Sequence, residues 1–289
     1  GYHNTFGKLV PEAVTTRRGI PRRLSVGNSC GWVMANIGLR GSAEELGLTC
    51  ANLWYHPTRD DGDMFGAVDD FMADPTNPDH DPMVMITFPS IKAREGEQAN
   101  RDVTTCQMLC MAEHSWFAKH ADLPTRKRGA EYKALKREWG ERLVRVLTRF
   151  YPQFEGQIEL LDVSTPLWVE HYLGAHEGGA VGLDQSPERF TDWELADRLD
   201  SRTPIDGLWL TGQDTVTCGQ PIVQAAGLIS AFRILGLRQS LGYLARTLPP
   251  IVRSLRRGQR VDAARQPGDA GGPTAAPNDA AEDLVAAES

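Results

Sequence analysis

The run from Ile222 to Leu235 constrains the fold more than any other stretch of the chain. Ile222, Val223, Ala225, Ala226, Leu228, Ile229, Ala231, Phe232, Ile234 and Leu235 leave it almost no polar face. A helix that is apolar all round is expected to be buried. Pro221 suits the first helical turn, where an amide proton would have no intrahelical partner, and Gly236 suits the end. The helix so predicted is about four turns long. Just before it, the segment Asp206 to Asp214 parses as an apolar strand over Leu208 to Thr211, a glycine turn at Gly212 and an aspartate beyond the strand end. Ligands bind at that place in α/β folds. Orphan amides and the positive end of the helix dipole would favour an anion or a ring carbonyl at such a helix start. Spacing alone fits a core strand and helix with a solvent-capped turn equally well.

The remaining chain predicts a sheet and one long helix. Short β-rich runs occur near Thr49 to Asn52, at Met83 to Pro89, at Cys106 to Met111 and at Ile158 to Val163. The Asp-, Asn- and Pro-rich stretch Phe71 to Pro82 favours turns, so the strands are expected to pair antiparallel. Between Arg128 and Tyr151 the residues Tyr132, Leu135, Trp139, Leu143, Val146, Leu147 and Phe150 recur at helical spacing, and Pro152 stops the pattern. Its basic face, with Lys133, Lys136, Arg137 and Arg145, reads as a solvated helix face. From about Pro267 onward large apolar residues almost vanish, so a disordered tail is expected.

A net charge of -7 argues against general nucleic-acid binding, which needs a basic surface. The five cysteines form neither CxxC pairs nor a compact framework and read as reduced thiols of an intracellular protein. No apolar run reaches the roughly 18 residues that would span a bilayer. The first residue is Gly1 and the sequence Tyr2 to Phe6 reads as mid-chain, so an upstream part is expected.

The segment Leu208 to Gly227, with Gly212-Gln213-Asp214 and Gly219 at its centre, resembles the C-terminal signature of the FAD-dependent phytoene desaturase, carotenoid isomerase and retinol saturase superfamily. The resemblance implies that Asp214 contacts the ribityl–pyrophosphate region of FAD and that amides at the helix start approach the flavin pyrimidine edge. Because Gln220-Pro221 departs from the usual small-residue helix start and Pro221 removes a donor, Ile222 and Val223 are the amides expected there. The stretch Ser164 to Leu183 is similar to the loop of the same group that places a glycine-rich backbone beside the isoalloxazine, which assigns Gly178 and Gly179 to the cofactor. Phe88 to Lys92 and Thr104 to Leu109 look like the substrate domain of the retinol saturase and carotenoid isomerase branch. No GxGxxG occurs in the chain, so the ADP half of FAD would rest on an upstream segment.

The fold expected is therefore α/β: an incomplete flavoprotein-type FAD-binding fold with an α+β, antiparallel-sheet substrate domain. The implied domains are 1–160 for substrate, 161–236 for the C-terminal part of the FAD-binding domain, 237–260 as a basic amphipathic segment and 261–289 as tail. Leu237 to Arg257 either packs on the domain or lies in a membrane interface, and Pro249-Pro250 divides it. The activity implied is FAD-dependent saturation, desaturation or isomerisation of a conjugated isoprenoid such as a carotenoid or retinol, at the periphery of an organelle, plastid or ER membrane. An amine-oxidase-type flavoenzyme and a non-catalytic lipid-binding remnant are the alternatives, and the chain alone is expected to be inactive. Glu170, His171, Tyr172 and Glu177 are candidate proton donors that nothing in the sequence separates, Cys218 reads as a packing thiol, and no histidine pair has zinc spacing. Asp60-Asp61-Gly62-Asp63 lacks the closing ligands of a calcium loop and reads as a solvated turn.

Overall fold

The computed structural model describes residues 1–92 and 102–264. Its centre is a five-stranded sheet made of β1 (Gly31–Arg40), β2 (Leu53–Tyr55), β3 (Val84–Thr87), β4 (Val103–Ala112) and β5 (Ile158–Ser164), in the order β2-β3-β4-β1-β5. Every pairing is antiparallel. The helices are α1 (Tyr2–Asn4), α2 (Glu12–Arg17), α3 (Met64–Ala73), α4 (Pro89–Lys92), α5 (Gly129–Phe150), α6 (Pro166–Leu173), α7 (Glu188–Thr191), α8 (Trp193–Arg198) and α9 (Gln220–Ala264). Mixed helices around an antiparallel sheet agree with the expected class. The strands expected near residues 83, 106 and 158 are β3, β4 and β5, and the amphipathic helix is α5.

One face of the sheet makes the main core. Val33, Ala35, Ile37 and Leu39 of β1, Val84 and Ile86 of β3, and Cys106, Met108 and Cys110 of β4 alternate inward and meet Trp139, Leu143, Val146 and Leu147 of α5. Gly140 permits the close crossing of α5 on β5, because a Cβ there would lie 3.0 Å from Leu161 Cδ2 and from Val163 Cγ2. The opposite face is half-exposed and largely apolar. Pairing aligns Met34 with Leu109, Leu109 with Met85 and Met85 with Trp54, so one apolar row crosses four strands. Trp32 and Met111 form a second pair beside it.

A second cluster gathers Tyr2, Phe6, Ile20 and Val26 with Leu183, Leu195 and Leu199. Residues from the first 26 thus pack with residues from the stretch after 182. Asp63 caps α3 by accepting from the Gly66 amide at 2.9 Å, while Arg59 bridges Asp63 and Asp70, so the acidic turn is held by protein partners.

Two expectations about the C-terminal elements are corrected. Leu208 to Thr211 is no strand; it holds only an isolated bridge between Arg202 and Trp209, because Thr203 Oγ1 folds the segment back onto the Leu208 carbonyl at 2.7 Å. The first part of α9 is not buried either: Ile222, Leu228 and Ile229 are each more than 40% exposed, and only Ala226 and Ser230 turn fully inward. Apolar composition demands a covering partner, and the described residues supply one for a single narrow stripe.

The chain divides into a compact unit over Gly1–Arg233 and a second over Ile234–Ser289. In the second, Gly236 leaves helical geometry at φ 74° and ψ 170°, where the stop was expected, but the helix resumes beyond it. The helix continues to Ala264, into the stretch expected as tail, and residues 265–289 lie outside those described. By length and composition Gln220–Pro250 is long and apolar enough to cross a membrane, contrary to the sequence expectation; isolated arginines such as Arg233 and Arg238 interrupt the apolar run without making the whole stretch polar.

Candidate functional site

The turn that follows the isolated bridge brings together most of the residues singled out in the sequence. Thr211, Gly212, Gln213 and Asp214 form one wall of a cavity of about 400 Å³, with Gly179 and Gly182, Val223, His3 and His176 around it. The end of α6 closes another side through Leu173, where Gly174 takes a left-handed conformation at φ 64°. Gly27 to Cys30 runs antiparallel to Ala180 to Asp184 and fixes the glycine-rich loop: Ser29 N donates to the Gly182 carbonyl at 2.9 Å and Asp184 N to the Gly27 carbonyl at 3.0 Å.

Asp214 is the centre of this arrangement. It is 7% exposed and accepts the Tyr2 amide on Oδ2 at 2.6 Å and the Leu183 amide on Oδ1 at 3.1 Å. Its carboxylate therefore ties three separated segments together with charge-assisted bonds. Space around it is tight. A Cβ on Gly182, whose φ is +77°, would lie 2.2 Å from Asp214 Oδ1, and one on Gly1 would lie 2.7 Å from Oδ2. Gly212 differs: its φ is +96° and nothing lies within 4 Å of its missing Cβ, so bare backbone faces the cavity.

Of the expected cofactor residues, Gly212, Gln213, Asp214, Gly179 and Val223 share this cavity. Gly178 sits behind it, packed so closely that a Cβ would meet the Pro166 carbonyl at 2.3 Å. Gly219 and Ile222 stand outside it, Ile222 43% exposed. The Val223 amide donates to the Gly219 carbonyl at 2.9 Å, so it is already occupied within the helix. With Pro221 lacking a proton, Gln220 and Ile222 remain as first-turn amides without an intrahelical acceptor.

Two residues missed in the sequence shape the site. Arg189 on α7 is 3% exposed and donates to the carbonyls of Leu183 at 3.0 Å, Asp184 at 3.2 Å, Gln213 at 2.5 Å and Val216 at 3.3 Å. It pins the 213–216 loop to the strand-like segment beside Asp214. Burial lowers its pKa, and the Asp214 charge opposes that shift. His3 also lines the cavity. Its Nε2 accepts the Leu24 amide at 3.3 Å, which leaves the proton on Nδ1, 3.2 Å from Asn28 Oδ1. Neither residue sits in a local pattern; their roles arise from tertiary contacts alone.

Tyr2, whose phenol pKa burial pushes up, and His176 are further titratable side chains on the cavity. The His176 ring lies 5.1 Å from that of His3. Burial holds the His176 pKa below the ordinary value, with the Glu177 charge opposing and Arg23 and Lys8 reinforcing the depression. Glu177 itself takes a left-handed φ of 51° and reaches Asn28 Nδ2 at 3.4 Å. The other three proton-donor candidates lie elsewhere. Glu170 faces His114 at 3.0 Å, and the rings of His171 and Tyr172 meet edge to face at 4.7 Å on α6.

The cavity fits the ring-bearing end of a flavin in its chemistry. Glycines with open or left-handed backbone admit a flat group, a buried carboxylate keeps spare acceptor capacity beyond its two amides, and the volume is in the range of small-ligand sites.

Comparison with curated proteins gives the chain its relatives in sequence. The chain is 33% identical over 222 residues to an all-trans-retinol 13,14-reductase of Rattus norvegicus, covering 76% of this chain and 36% of that protein. It is 30% identical over 228 residues to the Danio rerio protein of the same name and 31% over 222 residues to that of Homo sapiens, with the same shares covered. The chain thus spans little more than a third of the length of the curated relatives it matches. No family model matches it.

Proposed function

The chain belongs to the all-trans-retinol 13,14-reductase (retinol saturase) family, and from that premise we propose that it is the part of an FAD-dependent oxidoreductase that reduces a double bond of a conjugated isoprenoid alcohol. The observation that carries the proposal is the shared cavity of Gly179, Gly212, Gln213 and Asp214. Reducing a carbon–carbon double bond adds a hydride and a proton; a bound reduced flavin would supply the hydride.

The chain's own residues do the rest. Asp214 and Arg189 hold the 211–216 loop in place so that Gly212 presents its backbone to the ring. Val223 gives the cavity one apolar wall, and Leu173 stands at its open rim. His176, neutral because burial depresses its pKa, is the cavity histidine that can relay a proton taken up from solvent, since both nitrogens of His3 are engaged. The apolar row Met34, Leu109, Met85 and Trp54 suits a long apolar polyene, and methionines adapt to its shape at little cost. Leu237, Leu241, Tyr243 and Leu248 stand exposed among Arg238, Arg246 and Arg253, which supports a peripheral seat on the membrane that holds the substrate.

The test is flavin content and retinoid turnover of the intact protein. Flavin should copurify, and loss of polyene absorbance should follow reduction. Asp214→Asn turns an amide donor toward one of two backbone donors and should lower flavin occupancy. Absence of flavin from the wild type defeats the cofactor assignment; full occupancy and unchanged turnover in Asp214→Asn defeat the location.

A further inference from the structure

Away from the cavity around Asp214, Arg126, Arg128, Lys133 and Lys136 line one concave pocket of about 330 Å³, with Trp168 and Tyr172 as its apolar side. We infer that this pocket binds a phosphate-bearing ligand whose flat or apolar body lies against the two rings.

Charge is the first argument. The chain carries a net charge of -7, yet four cations converge here on a space about as wide as the Debye length of roughly 8 Å at physiological salt. Only Lys136 meets a carboxylate among the described residues, Asp162 at 3.4 Å. Like charges so placed repel until an anion enters. Lys133 and Lys136, on the helix face expected to be solvated, both line this space, and Lys133 stays exposed.

The pocket is also built. Arg128 Nε donates to the His120 carbonyl at 3.2 Å, and its guanidinium carbon lies 5.4 Å from the Tyr132 ring centroid, which aims the fork while leaving its terminal amino groups for a ligand. Tyr132 Oη and Thr165 Oγ1 share a buried hydrogen bond of 2.6 Å that ties α5 to the start of α6. Trp168 and Tyr172, one turn apart on α6, hold their ring centroids at 5.0 Å and stay 42% and 46% exposed. One feature lacks a partner within the protein: Thr125 Oγ1, on a residue of the pocket lining, is buried without a hydrogen-bond partner. Arg126 holds a left-handed φ of 66° as the third residue of the turn that Lys127 N closes by donating to the Pro124 carbonyl at 2.9 Å. A phosphate in the pocket would neutralise the arginines and offer the hydroxyl an acceptor after rotation of the threonine side chain.

The phosphate could sit on a soluble nucleotide or on a lipid headgroup, and the experiment separates them. Quenching of tryptophan fluorescence and calorimetry would be recorded on the whole chain with ADP, with inorganic phosphate, and with phosphatidylcholine vesicles containing or lacking phosphatidic acid. The variants are Arg126→Gly with Lys133→Ala, and Trp168→Leu; glycine suits the left-handed position, so charge is removed without loss of fold. Either ADP or phosphatidate vesicles should bind, weakened about tenfold or more by the double substitution and by added salt, with Trp168→Leu weakening binding further than it weakens inorganic phosphate. Binding of ADP identifies a soluble ligand; binding of phosphatidate vesicles with ADP inert identifies a headgroup. If neither binds, or the double variant binds both as the wild type does, the inference fails. Flavin content of the intact protein is measured on the same variants and should not change, which keeps this result separate from the fate of the flavin assignment.

Discussion

Gly182→Ala probes the packing around the Asp214 carboxylate and its neighbour Gln213, because a second glycine of similar φ lacks these contacts. Gly182 has φ +77°, and a Cβ added there would fall 2.2 Å from Asp214 Oδ1, whereas Gly207 has φ +80° with nothing within 4 Å. Placing alanine in the left-handed region costs about 1–2 kcal/mol at either site. At Gly182 the carboxylate must also retreat by more than 1 Å to reach the 3.4 Å of ordinary contact. Such a shift breaks the 3.1 Å bond from Leu183 and disturbs the 2.6 Å bond from Tyr2. Hydrogen bonds to a charged group contribute roughly 1.5–3 kcal/mol each, so Gly182→Ala should destabilise by about 3–7 kcal/mol. That is a large share of the roughly 5–15 kcal/mol typical of a folded domain. Urea unfolding followed by tryptophan fluorescence, with the slope of the transition as a check on the two-state reading, gives both values. Gly207→Ala should shift the midpoint slightly and Gly182→Ala several times as much. Equal shifts, agreeing within about 1 kcal/mol, would refute the view that the carboxylate is wedged between these segments.

Two further outcomes follow from the same neighbourhood. Arg189→Lys puts three donors on one atom and cannot serve the carbonyls of Leu183, Asp184, Gln213 and Val216 together, so it should cost about 2–4 kcal/mol and speed amide exchange through 211–218; unchanged exchange there would show that the loop does not depend on the guanidinium. Burial depresses the pKa of His176, so the unfolded chain takes up its proton first as pH falls. The stability owed to neutral His176 is complete above its ordinary value and declines as pH drops toward the depressed one. Between about pH 7.5 and 5.5 the wild type should lose more stability than His176→Gln. Parallel pH profiles would count against a buried, neutral imidazole.

How legible these features were depends on whether their cause is local. α5 could be read because Tyr132, Trp139, Leu143 and Leu147 repeat at the period of a helix. β1 went unread although it lies between β4 and β5 in the sheet. Its inward residues Val33, Ala35, Ile37 and Leu39 alternate, but Trp32 and Met34 on the other face are apolar too, which erases the contrast that marks a half-buried strand. The turn at Gly212 and Asp214 was found by its resemblance to a known signature, and five of the eight residues assigned to the cofactor line one cavity. The exposure of Ile222, Leu228 and Ile229 could not be read, since periodicity reports which faces are apolar and not what covers them. Arg189 and His3 left no mark for a related reason: a single arginine or histidine acquires its partners only when distant segments meet.

The bond from the Tyr2 amide to the Asp214 carboxylate joins residues 212 apart in sequence. Closing so long a loop is entropically slow to reward, and a chain emerging from the ribosome can form the sheet core well before it can form this contact. Synthesis must pass residue 214 before the cavity has its wall. The sheet core and the cavity are therefore expected to mature in sequence, and a lesion at either end should leave a folded sheet beside an unformed site.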